Sequence, residues 1–275
     1  MTREEWRMTR IACNGVELEV VDQGSGTPIV FIHGVMMSGR FFERQIAALP
    51  RQFRVVVPDL RGHGMSEKVL RGHTVGNYAQ DLNSLFEEIV IRRPVLVGWS
   101  MGAMVVYEFL KAFGCDAVSG IVIVDQPPSD FAWPGYPYGV LTPLALGDMV
   151  EGLQLDQRAV AEEFAELMQH RPDGQVSQWM VDEILRVPPV IASTILVNQT
   201  LRDYRDFLPT ITCPTQVAFG RDSKLTPPEA GEYISSVVPG ASFRIFEESS
   251  HCPFYEEAGE FNTMLEDFVG RVSTT

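Results

Sequence analysis

Apolar residues in this chain come in short runs separated by longer stretches with helical spacing. Ile29-Val30-Phe31-Ile32, Arg54-Val55-Val56-Val57, Pro94-Val95-Leu96-Val97 and Ile121-Val122-Ile123-Val124 have strand length and are rich in β-branched side chains. Between them, Ser38 to Leu49, Val75 to Val90 and Met101 to Phe113 place apolar residues along one face of a helix, the last stopped at Gly114. Earlier, Val16-Glu17-Leu18-Glu19-Val20 alternates apolar and polar ahead of Gly24-Ser25-Gly26, which predicts a hairpin strand followed by its turn. Continuous β-branched runs alternating with helices predict a parallel sheet covered on both faces.

From Gln126 to Pro209 the rhythm changes. Pro127-Pro128, Pro134, Pro137 and Pro143 break the chain, and Val160 to Gln169 and Val176 to Leu185 read as helices with no clear strand between them. After Pro214 the alternation resumes: strand over Thr215 to Phe219, helix over Pro228 to Val237, strand over Phe243 to Phe246, helix over Glu257 to Val269. The expected layout is an α/β core of residues 1–126 and 210–275, with 127–209 inserted as a helical cap over the carboxyl ends of the strands, where open α/β sheets bind ligands.

Composition narrows the function classes. The 275 residues are 45% hydrophobic and 21% charged, ordinary for a globular protein, and the formal net charge is −14. Such a surface repels phosphate backbones and anionic membranes, so neither nucleic acid nor a membrane is an expected partner. No run reaches the roughly 18 apolar residues of a membrane span. The opening Met1-Thr2-Arg3-Glu4-Glu5-Trp6-Arg7 lacks the apolar core of a signal peptide, and Met8-Thr9-Arg10 repeats its first residues, so the first seven read as a dispensable leader. Cys13, Cys115, Cys213 and Cys252 have neither metal nor redox spacing and read as reduced thiols of a cytoplasmic protein. No histidine pair has ligand spacing, so no metal and no cofactor are expected. His73 and His170 stand in no motif and are expected to be solvated.

The chemistry begins at Gly98-Trp99-Ser100-Met101-Gly102, a G-x-S-x-G motif between a predicted strand and a predicted helix. A sharp strand-to-helix turn holds its central serine out over the sheet, and flanking glycines let backbones pass closely. The plainer role for such a serine is capping the helix. Further motifs follow in order: Phe31-Ile32-His33-Gly34, then Pro58-Asp59-Leu60-Arg61-Gly62-His63-Gly64-Met65-Ser66, then Ser249-Ser250-His251-Cys252-Pro253-Phe254. Together they resemble the α/β-hydrolase family over nearly the whole chain outside the cap, nearest to the small esterases, lactonases and cofactor-free haloperoxidases.

The resemblance implies an α/β-hydrolase fold with Ser100 as nucleophile and His251 as the base that takes its proton. It implies an oxyanion hole made by the backbone N–H groups of Val35 and Met101, and supporting roles for His33 and His63 in their loops. Cys252 is expected to be a bystander, since adjacent side chains on an extended loop diverge.

The triad acid departs from the family pattern. Most relatives carry it last in a Gly-x-x-Asp after the strand that follows the cap; here Gly220-Arg221-Asp222-Ser223 puts a serine there. Asp222 stands one residue early and so turns to the other face. Asp125, directly after the strand Ile121 to Val124, keeps the order Ser–acid–His and is the favoured candidate, with Asp222 as the alternative and a mere turn cap as its plainer role.

The implied activity is hydrolysis of a neutral carboxylic ester or lactone, small and apolar, through an acyl-Ser100 intermediate. Acyl transfer to another acceptor, including peroxide as in a perhydrolase or haloperoxidase, uses the same triad. A non-catalytic ligand receptor shares the fold but usually loses Ser or His, and both are present. The cap carries Phe131, Trp133, Tyr136, Tyr138, Met149, Phe164, Met168 and Trp179, some to wall the substrate site and most to pack. Oligomeric state is left open.

Overall fold

The computed structural model describes residue 6 and residues 8–273. Apart from Trp6, the predicted leader lies outside the described residues; Trp6 itself is only 6% exposed and belongs to the hydrophobic core, so at that residue the segment is packed rather than dispensable.

Eight strands form one sheet: β1 (Met8–Cys13), β2 (Val16–Gln23), β3 (Pro28–Ile32), β4 (Arg54–Pro58), β5 (Val95–Trp99), β6 (Gly120–Val124), β7 (Thr215–Gly220) and β8 (Ser242–Phe246), in the order β1-β2-β4-β3-β5-β6-β7-β8. From β4 to β8 every pairing is parallel; β2 runs antiparallel to β4 and to β1. Every residue of β5, β6 and β7 is buried, as expected where helices cover both faces, whereas the outer strands β1 and β8 are mostly exposed or half-buried.

The predicted hairpin exists with a different partner. Gly24-Ser25-Gly26 leads to β3, which does not pair with β2. The hairpin is β1–β2, closed by Asn14-Gly15, both at positive φ (45° and 72°). A two-residue Asn-Gly loop matches the twist of paired strands because both residues tolerate that region.

Between strands run α1 (Glu43–Ala48), α2 (Val75–Glu88) and α3 (Met101–Phe113); α8 (Glu229–Val237), the single turn α9 (Pro253–Glu256) and α10 (Ala258–Val272) complete the core. α2 packs on α3, and α1 packs on α10 at the other face of the sheet. Between β6 and β7 lie α4 (Pro143–Leu155), α5 (Gln157–Leu167), α6 (Gly174–Ile184) and α7 (Pro189–Thr200), with three isolated bridges, including Ser129 to Asp203. α5 and α6 match the predicted helices; α4 and α7 were not anticipated. The insertion is tied to the core through Glu183 of α6, fully buried, which accepts from Ser38 Oγ at 2.6 Å and pairs with Arg40 at 3.4 Å and Arg186 at 3.1 Å. No described helix is long and apolar enough to cross a membrane.

Candidate active site

The chain leaves β3 toward β4 on one side and enters β5 on the other, so the loops after β3 and β5 diverge and open a crevice at their carboxyl ends. Ser100 follows β5 there, at φ 53° and ψ −127°. Such a backbone costs about 1–3 kcal/mol and survives only where its surroundings enforce it. The enforcement is visible in the glycines: a Cβ on Gly98 would stand 2.5 Å from the Gly102 carbonyl oxygen, and one on Gly102 would stand 2.1 Å from that of Ile32. Any larger residue would push the turn apart. Ser100 heads α3, yet its side chain makes no capping hydrogen bond, so the plain capping role does not account for it.

His251 lies on the loop between β8 and α9, 4% exposed. Its Nδ1 stands 2.8 Å from Oδ1 of Asp125. A carboxylate only accepts, so Nδ1 carries the proton and Nε2 is left as the acceptor. The loop is held from below by Trp99, the residue before Ser100, whose Nε1 donates to the His251 carbonyl at 2.8 Å. It is held from the side by Glu256, which accepts from the Ser250 N–H at 2.7 Å.

Asp125 directly follows β6, at φ 47°, and is fully buried. Besides His251, it accepts from the Gly220 N–H at 2.9 Å, from Ser223 Oγ at 2.7 Å and from the Thr226 hydroxyl. Ser223 occupies the place where most relatives are expected to carry the acid, and here it donates to the carboxylate instead. Asp222, the alternative acid, is 54% exposed and stands 2.8 Å from His170 Nδ1, away from His251. His170 therefore stands against a carboxylate rather than being simply solvated. His73 also departs from expectation: it is 4% exposed, its Nδ1 lying 3.0 Å from the Tyr78 hydroxyl and its Nε2 2.6 Å from the Val69 carbonyl, and burial lowers its pKa.

His33 takes the Leu60 N–H on Nε2 at 2.9 Å and faces the Gly34 carbonyl with Nδ1 at 2.8 Å, which fixes the loop after β3. His63 lies 2.9 Å from the Arg61 carbonyl, and burial holds its pKa well below the ordinary histidine value. Gly34 is pressed against the serine: a Cβ there would lie 3.1 Å from Ser100 Cβ. Val35 follows on this loop, and Met101 opens α3, where the first N–H groups of a helix have no partner within it. Cys252 is fully buried and its thiol is pushed well up by that burial, which makes it a poor nucleophile.

Ser100, His251, Val35 and Trp99 line one cavity of about 500 Å³ between the core and the helical insertion. Of the eight large residues of the insertion singled out in the sequence, Met149 and Phe164 line it. Trp179 instead packs on Phe41 and Tyr255, and Tyr136 and Met168 are buried. Among the described residues, no group of three or more His, Cys, Asp or Glu is arranged to hold a metal ion.

The model of the alpha/beta hydrolase family matches residues 29–263. The chain belongs to that family. Among curated members, a non-heme chloroperoxidase of Kitasatospora aureofaciens is 31% identical over 86% of this chain and 90% of its own length. A pimeloyl-[acyl-carrier protein] methyl ester esterase of Vibrio atlanticus is 29% identical over 90% of this chain and 95% of its own. Among solved structures of alpha/beta hydrolases, an esterase from Exiguobacterium antarcticum superposes with a TM-score of 0.91 at 27% identity, covering 95% of this chain and 99% of that one.

Proposed function

We propose that this alpha/beta hydrolase cleaves a neutral carboxylic ester or lactone through an acyl-Ser100 intermediate. The observation that carries the proposal is the pairing of a strained, uncapping Ser100 with an Asp125-bound His251 on one cavity. In this scheme His251 Nε2 takes the Ser100 proton as Oγ attacks the carbonyl carbon. The N–H groups of Val35 and Met101 receive the developing oxyanion. Asp125 stabilises the imidazolium and stays ionised. His251 then passes its proton to the leaving alkoxide, and water, deprotonated by the same imidazole, releases the acid. The residues between β6 and β7 act as a cap over the cavity.

Acyl transfer to hydrogen peroxide in place of water is a second reading, favoured by the chloroperoxidase relative. It uses the same acyl-enzyme and differs only in the acceptor of the second half-reaction.

The test is turnover of a short-chain activated ester without added metal. Wild-type protein is expected to hydrolyse it, and Ser100→Ala to lower the rate by at least about 10³-fold. Full activity in Ser100→Ala contradicts the assignment. A folded wild type that is inert on a broad ester and lactone panel, yet binds a small ligand tightly, points to a receptor.

A further inference from the structure

Cys115 and Cys213 lie far apart in the sequence, and the fold sets them side by side. Cys115 opens the single turn Cys115–Ala117 that follows α3, and it is half-buried. Cys213 lies just ahead of β7 and is 6% exposed. β6 and β7 run parallel, so both cysteines stand at the amino-terminal ends of these strands, at the end of the sheet opposite Ser100. Neither lines the Ser100 cavity.

The sulfur of Cys115 is ringed by donors. The Thr212 N–H donates to it at 3.4 Å. The Thr212 hydroxyl, the Cys213 N–H and the Cys213 thiol donate to it as well. Hydrogen bonds to the charged form of a group favour that form, so this cradle suits a thiolate. The chain that supplies the donors is itself held in place. The Ile121 N–H donates to the Pro214 carbonyl at 2.9 Å, and the Thr215 hydroxyl donates to the Cys213 carbonyl at 3.0 Å.

We infer that Cys115 and Cys213 form an oxidation site, in which Cys115 reacts with a hydroperoxide and Cys213 resolves the product to a reversible disulfide. In the first step the Cys115 sulfur attacks one peroxide oxygen. An S–O bond forms and the O–O bond breaks. The departing oxygen leaves with the proton the thiol gave up, as water or, from an organic hydroperoxide, as an alcohol. In the second step the Cys213 sulfur attacks the sulfenic sulfur. The S–S bond forms, the S–O bond breaks, and hydroxide departs with the Cys213 proton as water. The two thiols together lose two electrons and two protons, and one hydroperoxide is reduced. The site is independent of the reaction proposed for Ser100.

Acidity divides the cysteines in the same way. Burial opposes ionisation of Cys115, but the hydrogen bonds from Thr212 and Cys213 outweigh it and lower its pKa. Burial pushes the Cys13 and Cys213 thiols up to about 12, and that of Cys252 well up. An accessible thiol of lowered pKa beside a second thiol is the arrangement of redox-responsive cysteines. Cys213 stays protonated, and its proton already points at the sulfur it would attack.

The experiment treats the reduced full chain with a small excess of hydrogen peroxide and stops the reaction with catalase. The protein is then unfolded in N-ethylmaleimide and weighed. In the wild type two of the four cysteines are expected to escape blocking, and non-reduced peptide maps to show Cys115 joined to Cys213. Dithiothreitol before blocking should restore all four. Cys213→Ser keeps a donor for Cys115 but cannot resolve, so a sulfenic acid at Cys115 should persist and be captured by dimedone. In Cys115→Ser neither disulfide nor adduct should form. Limiting iodoacetamide on the folded wild type needs no variant; it should label Cys115 at least about tenfold faster than Cys13, Cys213 or Cys252. Four blockable thiols after peroxide, a disulfide joining any other pair, or first labelling at another cysteine overturns the site. So does a sulfinic acid at Cys115 of the wild type in place of the disulfide. Ser100→Ala should form the same disulfide as the wild type, and a bond that forms only with Ser100 present would overturn its independence from the hydrolase chemistry.

Discussion

Asp125 receives hydrogen bonds from His251, Ser223, Thr226 and Gly220, which the chain brings together from two segments, the end of β7 with its following loop and the loop after β8. Those donors satisfy both oxygens of a fully buried carboxyl without water. Asp125→Asn therefore removes the charge and offers a donor where the ring offers another. Its expected cost in turnover is large, up to about 10⁴-fold by analogy with another triad enzyme. Asp222→Asn, at a half-exposed carboxylate paired with His170, should stay within about twofold of wild type. Steady-state rates on one activated ester decide between them, and the reverse pattern moves the acid to Asp222. At this scale the sequence was informative where a residue sits in a local pattern: Ser100 in its elbow, Asp125 at a strand end. It was silent on Ser223 and Thr226 as partners of Asp125, because no local signal joins positions 98 and 101 residues apart. The burial of His73 was missed for a different reason: its partners Val69 and Tyr78 are near in sequence, but nothing in the local pattern says that the loop turns its imidazole inward.

At the scale of elements, strands with continuous β-branched runs and helices with a single apolar stripe were legible. Two helices of the insertion were not. α4 exposes Leu144 and Leu155, and α7 exposes Val190, so neither carries a clean stripe. The β1–β2 hairpin was legible in principle, through Asn14-Gly15, but the polar face of β1 obscured it. The tie between α6 and the core was invisible beforehand, since a glutamate on a helix is ordinarily solvated. Glu183→Ala leaves the buried Ser38 hydroxyl without its acceptor and should cost about 2 kcal/mol. That corresponds to a fall of about 5 °C in melting temperature. Glu162→Ala, in an exposed α5 ion pair with Arg158, should shift it by no more than about 1 °C. Equal melting temperatures for the two variants would contradict the anchoring role.

For the whole molecule, the central crevice follows from strand order: β3 and β5 are neighbours whose connections run to opposite faces. Order in a sheet is not written in local periodicity, and only the resemblance of several motifs to one family supplied it in advance. The family also supplied a cap, but not which of its side chains would face inward; packing against Phe41 drew Trp179 away while Met149 and Phe164 reached the cavity. What the fold assembles is one serine and one imidazole on a cavity between core and insertion, the imidazole backed by one buried carboxylate. The central claim is that Ser100 becomes acylated during turnover. The most direct measurement is intact-protein mass after rapid acid quench with an activated ester, followed by peptide mapping. The account predicts a single acyl group on the peptide containing Ser100, formed in the wild type, absent in Ser100→Ala and formed far more slowly in His251→Ala. Turnover with no acyl-enzyme at any quench time, or an acyl group mapped to another residue such as Cys252, would contradict it.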